Sequence, residues 1–116
     1  MKKPFKKHIP QIETEGAHGG TGRRQLLISS ADEISPNIEA ATKGFLSPGG
    51  IFDWHNHDNI DEFFIVLQGT GRVDFEDGTA IEYKEDDFIY MPHPMKHKIT
   101  NTGPIENQFY FFRVRN

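Results

Sequence analysis

The sequence predicts an all-β domain that closes as a double-sheet jelly roll or small barrel. Eleven Gly and seven Pro punctuate the 116 residues at short intervals. The runs between them are rich in β-branched and aromatic residues, and no 3.6-residue apolar period survives across them, so nothing sustains a helix. Nine or ten short runs joined by tight connections would leave open sheet edges, which closure covers.

Residues 24–30, with Gln-Leu-Leu-Ile-Ser at their centre, form the first strand. A polar stretch over 31–37 crosses to a second strand at 38–46. Ser47-Pro48-Gly49-Gly50 then turns tightly into a third at 51–57. Beyond Asp58-Asn59 the run 62–68 is strongly β-prone, and Gly69-Thr70-Gly71 turns it into 72–75. Asp77-Gly78 signals a two-residue type I′ hairpin, whose central positions both need positive φ, leading into 79–83. A turn at 84–86 is followed by strands at 87–91, 97–101 and 108–114. The length suits one domain, read as an N-terminal arm with a Gly-rich loop over 1–22 and a β-barrel over 23–116.

Composition narrows the function. Hydrophobic residues make up 35% of the chain, and ten are Phe, so a few large rings must fill a thin-walled core. The net charge of −4, with both signs interspersed, makes no electrostatic case for nucleic acid. The absence of Cys excludes disulfides, thiolate chemistry and zinc fingers. No apolar run follows the N-terminal lysines, and none approaches the roughly 20 residues that span a membrane, so a cytoplasmic protein without a membrane partner is expected. Lys2, Lys3, Lys6 and Lys7 read as a frayed, solvated terminus rather than an anion-binding cluster.

His55 and His57 stand two apart on one predicted strand, so their imidazoles leave the same face, opposite Trp54 and Asn56. Glu62 follows after a polar bend, where the next strand can run alongside, and His97 arrives on a strand that starts after a proline-rich turn. A sheet folded back on itself can bring all four to one interior spot. Neutral imidazoles with one carboxylate suit a divalent transition metal (Fe, Mn, Ni, Co, Cu or Zn), and four protein ligands leave an octahedral ion two open positions. His8, His18 and His93 lack comparable support and are read as non-ligands.

The same residues carry a family resemblance. Gly49, five residues, His55-Asn56-His57, four residues, Glu62, six residues and Gly69 resemble the first cupin motif. Pro92, His97 and Asn101 at their spacing resemble the second, after a short inter-motif stretch from Gly69 to Asp86. The resemblance covers residues 49–101 and implies a double-stranded β-helix holding a metal with two His, one Glu and a third His. It also implies a homodimer, pictured as an N-terminal strand crossing to a neighbour with Trp54 or Phe52 at the contact. Two positions depart from the pattern. Asp86 and Pro94 stand where the family usually has Gly, and proline cannot adopt glycine's left-handed conformation.

Strand alternation assigns the surroundings. Ile51 and Asp53 share a face with His55; Phe64 and Val66 share one with Glu62; Met95 and Ile99 flank His97. Either Phe109 and Phe111 or Tyr110 and Phe112 complete the wall, and Lys43, Tyr90 and Arg113 are further polar candidates. Asp53 either orients a ligating imidazole or is a solvated strand-end residue. Residues 16–22 form a flexible connector, an anion-holding loop or a flap. The predicted site is therefore His55, His57, Glu62 and His97 as metal ligands, with Asp53, Phe64, Tyr90, Met95 and Phe111 lining the pocket. The reading is a metal-dependent, dioxygenase-like enzyme acting on a small organic molecule. Alternatives are a non-catalytic module that anchors a carboxylate or sugar, and a metal-dependent isomerase or lyase. Some cupin lyases carry a catalytic Tyr two residues after the glutamate, where this chain has Phe64, which lowers the lyase reading.

Overall fold

A computed structural model describes residues 3–17, 21–56 and 58–116. His18 and His57, and part of the predicted Gly-rich loop, lie outside them. The described residues form ten strands: β1 Glu15–Ala17, β2 Gly22–Ile28, β3 Ile38–Leu46, β4 Ile51–His55, β5 Ile60–Gln68, β6 Gly71–Phe75, β7 Ala80–Tyr83, β8 Phe88–Met91, β9 His97–Asn101 and β10 Asn107–Arg115. Only short 3₁₀ turns at Ile9–Gln11 and Ser30–Asp32 interrupt this all-β pattern. The strands make two antiparallel sheets, ordered β1-β2-β3-β10-β5-β8 and β4-β9-β6-β7. The expected jelly roll is what forms.

The core lies between the sheets and is built on aromatic rings. Phe64, Phe109 and Phe111 pack in tilted and edge-on pairs with centroids 5.1–5.3 Å apart, and Tyr83 meets Phe64 and Phe109 edge-on at 5.7 and 5.6 Å. Each such pair adds about 0.5–1.5 kcal/mol beyond its buried area. Phe109 and Phe111 point inward, which settles the two alternatives for β10. Phe112 turns to the other face and stacks on Phe63 at 5.2 Å. Two buried asparagines tie strands and loops together. Asn101 Nδ2 donates to Leu46 and Ile105 carbonyls, and Asn107 Nδ2 to Thr70 O.

Several local expectations change. The Asp77-Gly78 hairpin is not type I′, since only Gly78 has positive φ, at +89°. Gly78 N–H bonds Phe75 O and Phe75 N–H bonds Thr79 O, a type I turn closed by a left-handed glycine. Asp77 Oδ1 accepts from Thr79 N–H and Oγ1–H, which keeps Asp77 in the ordinary region. Asp86 has φ +73°, so aspartate adopts there the conformation glycine would supply. The His93–Pro94 peptide before His97 is cis. Part of the N-terminal arm belongs to the barrel, because β1 pairs with β2 of the same chain, Gly16 opposite Arg23. Lys7 is pinned rather than frayed. Its Nζ reaches Leu27 O at 3.0 Å and Asp32 Oδ2 at 2.6 Å, and this hydrogen bond holds the Asp32 carboxyl below its usual range.

The departure that matters most is in β4. Phe52 pairs with Ile99 and His55 with His97, so β4 advances three residues while β9 advances two. The extra residue is a β-bulge, and it breaks the strict alternation expected of the strand. Phe52 is buried and shares the inward face with His55, while Asp53 and Trp54 are exposed. Phe52 is therefore unavailable to an outer contact, and Asp53 does not point into the barrel. The strand ends at His55, two residues earlier than expected.

Candidate metal centre

Three strands deliver three side chains to one point. His55 ends β4, Glu62 sits on β5 of the opposite sheet, and His97 opens β9 beside His55. One ligand atom from each can be chosen so that all lie within 4.8 Å of one another. Glu62 Oε1 is 3.0 Å from His97 Nε2 and 3.7 Å from His55 Nε2, and the two rings meet edge-on at 4.4 Å. Two ligands about 2.1 Å from a shared ion are about 3.0 Å apart at 90° and 3.4 Å at the tetrahedral angle. The spacing fits a common cation.

Hydrogen bonding makes the same case. His55 Nδ1 lies 2.8 Å from Asp53 O, and a carbonyl only accepts, so that bond places the proton on Nδ1 and turns the Nε2 lone pair toward Glu62. Two acceptors then face each other unless a proton or a cation lies between them. His97 is 3% exposed, and among the described residues its Nδ1 has no hydrogen-bond partner while its Nε2 meets only Glu62 Oε1, at 3.0 Å. A buried imidazole nitrogen left without a partner is costly, and a cation shared with Glu62 would suit this pairing. Burial opposes the Glu62 charge, yet the His55 and His97 rings hold its carboxyl well below the usual range. Burial likewise opposes the His55 charge, but Glu62 and the Asp53 carbonyl outweigh it and raise its pKa.

Beside the three donors lies a cavity of about 40 Å³, lined by Ala17, Arg24, Ala40, Thr42, Gly44, Phe52, Ile99, Phe111 and Arg113. Of the pocket residues expected from sequence, Phe111 lines it. Asp53 orients His55, but through its backbone carbonyl, its carboxylate accepting from Trp54 N–H at 2.8 Å. Phe64 is fully buried in the aromatic core and does not line the cavity. Met95 packs against the core edge. Tyr90 is 51% exposed and bonds Asp61 at 3.0 Å on the outer face. Lys43 also faces outward, because Thr42 and Gly44 take the inner positions of β3. Its Nζ sits over the Phe45 ring. His8 and His93 stand outside the donor group, and His57 lies outside the described residues.

Arg24 and Thr42 escaped the sequence reading. The signal was present in the alternation, since Ala40, Thr42 and Gly44 are three small residues on one face of a strand. Such a row leaves room inside a barrel.

Residues 45–111 match the cupin domain family. The chain belongs to the cupin family. Among curated relatives, this cupin is 29% identical over 108 residues to "Polyketide synthase CurC" of Streptomyces cyaneus, covering 89% of this chain and 64% of that one. It is 39% identical over 49 residues to the uncharacterized protein YdbB of Bacillus subtilis, covering 42% and 43%. The chain thus spans less than two thirds of either relative. Among solved structures, one described as a predicted oxalate decarboxylase from Thermotoga maritima superposes with TM-score 0.87 at 20% identity, covering 97% of this chain and all of that one. The polyketide cyclase RemF of Streptomyces resistomycificus superposes with TM-score 0.79 at 19% identity, covering 98% and 85%. At these identities the likeness is one of fold.

Proposed function

We propose that this cupin holds a divalent transition metal through His55, Glu62 and His97, with His57 as a fourth ligand, and acts on a small organic molecule bound beside it. The observation that carries this is the 3.0 Å approach of His97 Nε2 to Glu62 Oε1 at the wall of a cavity. When bound, such an ion supplies Lewis-acid chemistry and, for iron or manganese, oxygen-dependent redox chemistry at its open positions. The chain's own residues bind and orient. Phe52, Ile99 and Phe111 exclude water, Asp53 O fixes the His55 tautomer, and Thr42 offers a hydroxyl.

Oxygen-dependent turnover is the reading we favour over isomerase or lyase chemistry. Among the described residues, the cavity lining offers no acid–base side chain beyond the candidate ligands, and Phe64 cannot act as a base. The polyketide-related names of CurC and RemF point to dicarbonyl and phenolic compounds as first substrates to try. The test is oxygen uptake by Fe²⁺- or Mn²⁺-loaded protein with a panel of dicarbonyls and phenols. Turnover lost in Glu62→Gln supports the enzyme. Saturable binding without oxygen uptake supports instead a non-catalytic binding module, which the same lack of an acid–base group favours. Failure to bind metal overturns both. Pairing with a second copy belongs to the same proposal and is checked by sedimentation of the intact chain.

A further inference from the structure

The cavity wall carries two guanidinium groups, Arg24 from β2 and Arg113 from β10, in the same lining as His55 and Glu62. Arg113 sits directly across from Glu62 in the sheet register. Each guanidinium is held at Nε by a glutamate outside the lining. Arg24 pairs with Glu15 at 2.7 Å and Arg113 with Glu39. Side chains that carry a permanent charge and are braced in this way lose little freedom on meeting a ligand.

With the proposed divalent ion bound, the local charge calls for an anion. Glu62, Glu15 and Glu39 stand against two guanidiniums and a divalent ion, which leaves about one positive charge in excess. A low-dielectric wall of Phe52, Ile99 and Phe111 strengthens the attraction for a negative group. Arginine favours a planar, bidentate acceptor, and carboxylate is one.

We infer that the ligand of this site is a small carboxylate-bearing molecule whose carboxylate is gripped by Arg24 and Arg113, with Thr42 beside them, while the rest faces the metal. The inference rests on the proposed metal centre, and the experiment separates the two. Mn²⁺ binding to the full chain is followed by electron paramagnetic resonance. Malonate binding to the Mn²⁺-loaded protein is then measured by calorimetry, with neutral malonamide as its match in shape. Malonate should bind at least about ten-fold more tightly than malonamide, and Arg24→Gln and Arg113→Gln should each weaken malonate by about ten-fold while leaving Mn²⁺ affinity within about three-fold. Arg113→Lys should recover part of the loss. Arg24, a third exposed, carries the test should Arg113→Gln not fold. Malonate binding indifferent to both substitutions, or matched by malonamide, overturns the carboxylate clamp and leaves the metal centre standing. Tighter binding of inorganic phosphate than of malonate overturns the choice of a carboxylate. Absence of Mn²⁺ binding overturns the metal centre. The clamp falls with it, because without the divalent ion three glutamates outnumber the two guanidiniums.

Discussion

His97 Nε2 lies 3.0 Å from Glu62 Oε1, and these two atoms come from opposite sheets. Glu62→Gln should keep the shape but remove the charge that two imidazoles face. Metal affinity should fall by about 100-fold or more, since a neutral amide oxygen is a much weaker ligand. Competition with a chromogenic chelator measures this. An affinity within three-fold of wild type would remove Glu62 from the ligand set.

Metal that binds only the folded chain must stabilise it. At a free metal concentration about 100 times Kd the gain is about 2.7 kcal/mol, which for a domain of this size raises Tm by about 10 °C. Melting with and without chelator checks it. Equal transitions, in the presence of measured metal binding, would mean that the metal also binds the unfolded chain.

Asn56 Nδ2 donates to Pro94 O at 2.6 Å, tying the segment after His55 to the turn before His97. Asn56→Ala should leave folding nearly intact, with a cost of about 1 kcal/mol, yet speed release of a metal bound as proposed about ten-fold, because the segments bearing His55 and His97 lose their common tether. Stopped-flow dissociation into excess chelator reads the rate. An unchanged rate would make the hydrogen bond incidental.

Tyr83 Oη donates to Asn107 Oδ1 at 2.7 Å, and burial pushes the phenol above its ordinary value of 10.0. The folded chain therefore keeps a proton that the unfolded chain sheds, and stability falls as pH rises beyond 10. Tyr83→Phe removes this dependence and costs about 1–3 kcal/mol at neutral pH, by leaving Asn107 Oδ1 without its donor. The gap between variant and wild type should narrow between pH 9 and 11 in urea melts. A constant gap would refute the assignment.

Much of this was legible in the residues. The strands, their turns and the His-Asn-His, Glu and His spacing are local features, and period-2 alternation correctly joined Phe109 and Phe111 once an inward face was chosen. What alternation could not supply was the choice of face. Nothing within Gln-Phe-Tyr-Phe-Phe says whether Phe111 or Phe112 is inside, because both are large and apolar. The answer comes from Phe64 and Gly44, which pack against β10 from neighbouring strands.

The sequence by itself determined that this chain is a β-barrel of cupin type and which four residues to suspect, because hydrophobic period, turn chemistry and ligand spacing are written into adjacent positions. Only the tertiary structure decided that Phe52 turns inward and Asp53 outward, that Asp53 orients His55 through its carbonyl, and that Arg24 and Arg113 share a cavity with Glu62. These depend on how β4 slips one residue against β9 and on which strands become neighbours. Such pairings are made between residues far apart along the chain, and no local pattern carries them.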